Sequence, residues 1–136
     1  MRLKKNKIGI LGGSFDPAHK GHLAISKEAA KRFKLKQVIW AITRKNPLKK
    51  KSNTSLQQRI KGCKKIIKKT NHIKIKFYEN IIKSNKTISL INHLSKNKKD
   101  EIYFLMGADN LINFHKWHKW KTISQKCNII VFDRQG

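Results

Sequence analysis

The sequence predicts an α/β protein, with helices in separate layers on both faces of a mostly parallel sheet. Two observations carry that expectation. Short apolar runs rich in β-branched residues alternate along the chain with segments whose apolar residues recur at helical spacing. Two of the short runs, Lys7–Leu11 (KIGIL) and Ile102–Met106 (IYFLM), are followed by glycine, as a buried strand is where it feeds a turn.

Taken in order, Lys7–Leu11 is the first strand and Gly12-Gly13 its turn. His22–Lys34 places Ile25, Ala29 and Phe33 on one stripe with Ala30 beside it, which predicts a helix. Gln37–Ile42 (QVIWAI) is short, β-branched and aromatic, and reads as the second strand. Asn46-Pro47 opens a polar, lysine-rich loop that runs to Asn53. Thr54 or Ser55 can cap a helix running to about Lys69, with Leu56, Ile60, Cys63 and Ile67 on one face. Ile73–Phe77 (IKIKF) alternates with period two, as a half-buried strand does. Thr87–Leu94 carries Ile88, Ile91 and Leu94 at three-residue spacing and is read as a helix. After the strand Ile102–Met106, Thr122–Lys126 is the tail of a short helix and Asn128–Phe132 (NIIVF) the last strand. Such an order closes by right-handed crossovers into parallel strands, and ligands then sit at the strands' carboxyl ends. Gly12–His22 and Gly107–Trp117 are the segments that follow two of those ends.

Composition narrows the classes. At 136 residues the chain is the size of one domain, read as 1–136. No apolar stretch approaches the ~20 residues of a membrane span. The N-terminal apolar run is shorter than a signal-peptide core and is followed at once by glycines and an aspartate. Cys63 and Cys127 have neither disulfide nor metal spacing, which suits a reducing cytoplasm and predicts no protein metal site. The net charge of +26 comes from 33 basic against 7 acidic residues. Lys, Ile and Asn all have AT-rich codons, so compositional drift accounts for much of the lysine. The resulting field still favours weak, non-specific binding of polyanions, RNA among them.

Chemistry concentrates in Gly12–His22, GGSFDPAHKGH. Glycines after a strand let backbone N–H groups approach a phosphate. His19 and His22, three apart at a helix start, can face one anion together with the positive helix end, and Gly21 between them leaves room for a ligand. The spacing is neither that of GxGxxG nor that of the P-loop.

GGSFDPAHKGHL is similar to the (T/H)xGH signature of the nucleotidyltransferase superfamily, which has a Rossmann-like fold. Together with NPLKK at Asn46–Lys50 and MGADNLINFHKWHKW at Met106–Trp120, the chain resembles the bacterial nicotinate-nucleotide adenylyltransferases from about Lys7 to Gly136. The resemblance implies adenylyl transfer from ATP, with Mg²⁺, to nicotinate mononucleotide, giving deamido-NAD and pyrophosphate in NAD biosynthesis. The mononucleotide's own phosphate is then the nucleophile, so catalysis reduces to positioning and charge stabilisation. His19 and His22 are the expected catalytic phosphate contacts, beside the backbone of Gly13, Ser14 and Phe15. By the resemblance, Gly107 and Asp109 lie near the ATP ribose, Trp117 stacks on the nicotinate ring and His118 supplies backbone to its carboxylate. Thr87 matches a threonine of the family's YT-x-DTL stretch, although Lys86 and Ser89 replace its aromatic and its aspartate. Asn46 and Lys49 are expected to face the mononucleotide.

One element of the family pattern has no counterpart. No SSTxxR motif, whose serines and arginine hold ATP phosphates in the family, occurs in the 136 residues. The expected domain is therefore incomplete at its C-terminal end, with an uncovered apolar strip that favours self-association. Two alternatives stay open: another HxGH enzyme, such as a phosphopantetheine adenylyltransferase, and an inactive relative that acts only as a basic nucleotide- or RNA-binding protein.

Overall fold

The computed structural model describes residues 5–15, 17–43, 55–84 and 86–133. Their elements run β1 (Asn6–Gly13), α1 (Lys20–Phe33), β2 (Gln37–Ile42), α2 (Leu56–Ile66), β3 (Ile73–Lys76), α3 (Glu79–Ile82), α4 (Thr87–Leu94), β4 (Asp100–Gly107), α5 (Ala108–Asn113), a 3-10 turn (Phe114–Lys116), α6 (Trp120–Lys126) and β5 (Asn128–Phe132). The strands form one sheet in the order β3-β2-β1-β4-β5, and every pair in it is parallel. The α/β expectation therefore holds, as does each of the five predicted strands.

The period-two geometry of a strand sends alternate residues to opposite faces, and the core divides accordingly. Ile8 and Ile10 of β1, Ile39 and Ala41 of β2, and Ile102, Phe104 and Met106 of β4 pack on one face against Ile88 and Ile91 of α4 and Ile123 of α6. Leu11, Val38, Trp40, Ile42 and Leu105 pack on the other against Ala29 of α1 and Cys63 of α2. This is the three-layer arrangement.

Helix ends follow local chemistry. Ser55 caps α2, its Oγ accepting from Gln58 N–H at 3.1 Å while Gln58 Oε1 accepts from Ser55 N–H at 3.0 Å. Helix α2 ends at Ile66, earlier than the periodicity predicts, because Ile67 and Thr70 close a turn instead, Thr70 N–H donating to Ile67 C=O at 2.8 Å. The stripe predicted for α1 is buried at Ala29 but not at Phe33, the helix's last residue. Phe33 lies at the surface against Tyr103, whereas Ser26 is fully buried. Burying Ser26 is inexpensive because its hydroxyl is satisfied twice: it donates to His22 C=O at 2.8 Å and accepts from Trp40 Nε1–H at 2.8 Å. The short α3 and α5 and the 3-10 turn were not predicted, being too brief to show a helical period.

With β1 central, the chain leaves it toward β2 on one side and is flanked by β4 on the other. That reversal opens a crevice at the carboxyl ends of β1 and β4, where Gly13 and Gly107 lie.

Candidate functional site

At the end of β1 the chain turns through Ser14 and Phe15 into α1, and two histidines build the helix start. His19 is the N-cap: its Nδ1 accepts from Gly21 N–H at 3.1 Å, and His22 Nδ1 accepts in return from His19 N–H at 3.1 Å. This is a capping box made from imidazoles. A neutral imidazole that accepts at Nδ1 carries its proton on Nε2. The cap therefore selects one tautomer in both rings and makes Nε2–H the donor of each. The ring centroids are 4.0 Å apart, so the two donors can serve neighbouring oxygens of one anion at the positive end of a 14-residue helix. An added Cβ at Gly21 would lie 2.8 Å from His19 Cε1 and Nδ1, so the space left by this glycine is taken by the His19 ring and not by a ligand.

Phe15 supports the pair from below. It is buried, adopts a left-handed backbone with φ 51°, and stacks on Trp40 with centroids 5.0 Å apart. The His22 ring rests on it at 4.7 Å. Trp40, whose indole N–H reaches Ser26, closes a loop of contacts back to the His22 carbonyl. Of Phe15, only the backbone can face a ligand.

Behind the turn lies Arg59 of α2, 4% exposed, with Nη1 donating to Ser14 C=O at 2.9 Å and to Thr43 C=O at 2.7 Å. Thr43 N–H donates to Gly13 C=O at 2.9 Å, so the ends of β1 and β2 are tied twice.

Beside the histidine corner, a cleft of about 210 Å³ opens over the carboxyl ends of β1, β2 and β4. Gly13, Thr87 and Trp117 line it, joined by Tyr78, Glu79 and Asn110. Trp117 is half-buried and held edge-on by Phe104 at 6.0 Å and Phe114 at 5.2 Å. Burial raises the Tyr78 phenol pKa above its ordinary value, so at neutral pH it stays protonated. Gly107 precedes α5 as its N-cap, and the Asp109 carboxylate folds back over it: a Cβ there would lie 2.5 Å from Asp109 Oδ1. His118 is exposed and outside the cleft lining. Asn46 and Lys49 lie outside the described residues, as does Asp16.

Sequence reading missed Arg59, Tyr78, Glu79 and Asn110. Tyr78 and Glu79 sit where the chain leaves β3 for the short α3, which neither periodicity nor a motif marks, while Asn110 lies on α5 inside the MGADN segment, where only Gly107 and Asp109 were assigned roles. Arg59 did leave a trace: 28 of the 33 basic residues are lysine, so an arginine beside the apolar stripe of α2 stands out. Both thiols lie away from this chemistry, and burial pushes the pKa values of Cys63 and Cys127 up to about 11, which leaves neither nucleophilic at neutral pH.

The family model for cytidylyltransferase-like proteins matches residues 10–135. The chain is 69% identical over 133 residues to a probable nicotinate-nucleotide adenylyltransferase of Pelagibacter ubique (strain HTCC1062), covering 98% of this chain and 74% of that protein. It is 37% identical to a protein of the same description from Agrobacterium fabrum (strain C58 / ATCC 33970), covering 95% of this chain and 70% of the relative. In fold it is similar to the Plasmodium falciparum nicotinic acid mononucleotide adenylyltransferase complexed with NaAD. The TM-score there is 0.73 at 17% identity, over 96% of this chain and 76% of that one.

Proposed function

The chain belongs to the cytidylyltransferase-like family and, within it, to the nicotinate-nucleotide adenylyltransferases, and on that premise we propose that it joins ATP and nicotinate mononucleotide into deamido-NAD, releasing pyrophosphate. The observation that carries this reading is the juxtaposition of a histidine-built anion site with an aromatic-walled cleft at the same sheet edge.

An oxygen of the mononucleotide phosphate attacks the α-phosphorus of ATP. A new P–O bond forms as the bond from that phosphorus to the bridging oxygen breaks, and the electron pair leaves with pyrophosphate. No protein nucleophile is needed. The Nε2–H groups of His19 and His22 donate to phosphate oxygens that gain charge in the transition state, where one such donor contributes about 10²–10³ in rate. The backbone of Gly13, Ser14 and Phe15 lines the same groove. The Trp117 indole offers its face to the pyridinium ring, an attraction worth about 0.5–2 kcal/mol, with Thr87 on the cleft wall and His118 backbone toward the carboxylate. Gly107 and Asp109 meet the ATP ribose, whose hydroxyls a carboxylate can accept from, while Asn46 and Lys49 approach the mononucleotide.

Among the described residues no three His, Cys, Asp or Glu side chains converge as a metal cage. Mg²⁺ accordingly fits as part of the substrate, carried in on the triphosphate, which supplies hard oxygen ligands the imidazoles do not. Residues 1–136 are read as one nucleotidyltransferase domain acting in the cytoplasm. Leu111, Ile112 and Val131, exposed on α5 and β5, are the surface for any self-association, and polyanion binding follows from the charge.

The test is pyrophosphate release by the purified chain with ATP, Mg²⁺ and nicotinate mononucleotide, against a His19→Ala/His22→Ala control. Turnover that disappears in the control supports the reading. A folded chain that releases no pyrophosphate overturns it.

A further inference from the structure

Arg59 touches both loops of the site from behind, and we infer that it is a positioning residue for adenylyl transfer, locking the anion-binding turn to the end of β2 and placing a buried positive charge beneath them. The inference rests on the function proposed above but makes a claim of its own about polyphosphate binding.

Geometry comes first. Arg59 Nη1 holds the Ser14 carbonyl at 2.9 Å and the Thr43 carbonyl at 2.7 Å. Across a trans peptide the carbonyl and the following N–H point in opposite directions. Turning the Ser14 carbonyl toward Arg59 therefore turns the Phe15 N–H away from it. Phe15 itself sits at φ 51°, a left-handed conformation that is strained for a phenylalanine and persists only where its surroundings enforce it. Arg59 on one side and the Trp40–His22 sandwich on the other supply that enforcement.

Charge is the second argument. A cation at 4% exposure is costly unless it is paired. Among the described residues, the ion pair that forms is Arg32 with Glu28, far along α1, and no carboxylate meets Arg59. Its Nε is buried without a hydrogen-bond partner, so the fold does not saturate the guanidinium. Two carbonyls alone could be tied by a neutral donor. A charge that meets no carboxylate among the described residues and sits behind an anion-binding turn has its counterpart in the ligand, a polyphosphate. Arginine also stands here in a chain that elsewhere prefers lysine, and Nη1 carries two N–H groups fixed in the guanidinium plane, one for each carbonyl, where a lysine ammonium turns freely.

The experiment compares wild type with Arg59→Lys, Arg59→Gln and Arg59→Met, each first checked for a native circular-dichroism spectrum. Inorganic triphosphate is titrated calorimetrically at about 0.15 M salt, and kcat and KM are measured for ATP and nicotinate mononucleotide. The Met and Gln variants should bind triphosphate at least ~10-fold more weakly, consistent with loss of a low-dielectric charge. The Lys variant should recover triphosphate binding to within about threefold while keeping a lowered kcat, because charge returns without the bridging geometry. Triphosphate binding and kcat unchanged in folded Met and Gln variants would overturn the proposal. Equal losses in Lys, Gln and Met would overturn it too, by reducing Arg59 to packing. If wild type binds triphosphate yet never turns over, the proposed reaction fails while the binding arm still judges Arg59.

Discussion

The two glycine-ended strands at the core of the sheet lead into opposite kinds of construction. After β1, the helix start is built from short directional bonds: two imidazoles exchange hydrogen bonds with the backbone, and an arginine grips the turn from behind. After β4, α5 begins at Gly107 with no side-chain cap, buries none of its residues, and exposes Leu111 and Ile112. Order returns only where Phe114, Trp117 and Trp120 pack edge to face. The first region fixes its side chains by directional hydrogen bonds, as charge stabilisation requires. The second presents an aromatic wall, adaptable in detail, which suits recognition of a flat ring.

The difference can be broken one residue at a time. Replacing His22 by Ala removes a proposed phosphate donor and half of the cap together. Turnover should fall by about 10²–10³ with the circular-dichroism spectrum preserved, and an unchanged kcat would take His22 out of the chemistry. Gly21→Ala tests the same corner by geometry alone. Its Cβ would lie 2.8 Å from the His19 ring, so displacement of that ring should cost ~10-fold or more in kcat and about 1 kcal/mol in stability. Chemical denaturation beside steady-state kinetics would separate the two losses. In the second region, Trp117→Ala should weaken nicotinate mononucleotide by up to ~30-fold, the range of one cation–π contact, while ATP binding changes little and Trp117→Phe restores most of the loss. Equal weakening of both ligands would mean that the aromatic wall supports the fold instead of reading the ring.

The smallest effect is expected from the thiols. Burial raises Cys63 and Cys127 from 9.0 to about 11. Between those values the unfolded chain gives up thiol protons that the folded chain keeps, so stability is full below pH 9 and declines as pH rises toward 11. The thermal midpoint measured across that window should fall, less steeply in a Cys63→Ala/Cys127→Ala variant.

The sequence by itself determined the succession of strands and main helices along the chain, the three-layer class and the histidine corner. Each rests on local information: alternating apolar runs for β1 to β5, and a cap whose partners lie within three residues of one another. Even there, the role of Gly21 changed, because only coordinates show that His19's own ring fills its space. The tertiary structure alone decided what reaches across the sheet. Arg59 meets Ser14 from 45 residues away, and Tyr78, Glu79 and Asn110 reach the cleft from the segments that follow two different strands. Ser26, a polar residue on the inner face of α1, is buried at little cost because Trp40, on β2, donates to its hydroxyl. Periodicity records which face a residue shares with its chain neighbours. It carries no record of the partner that folding brings to that face.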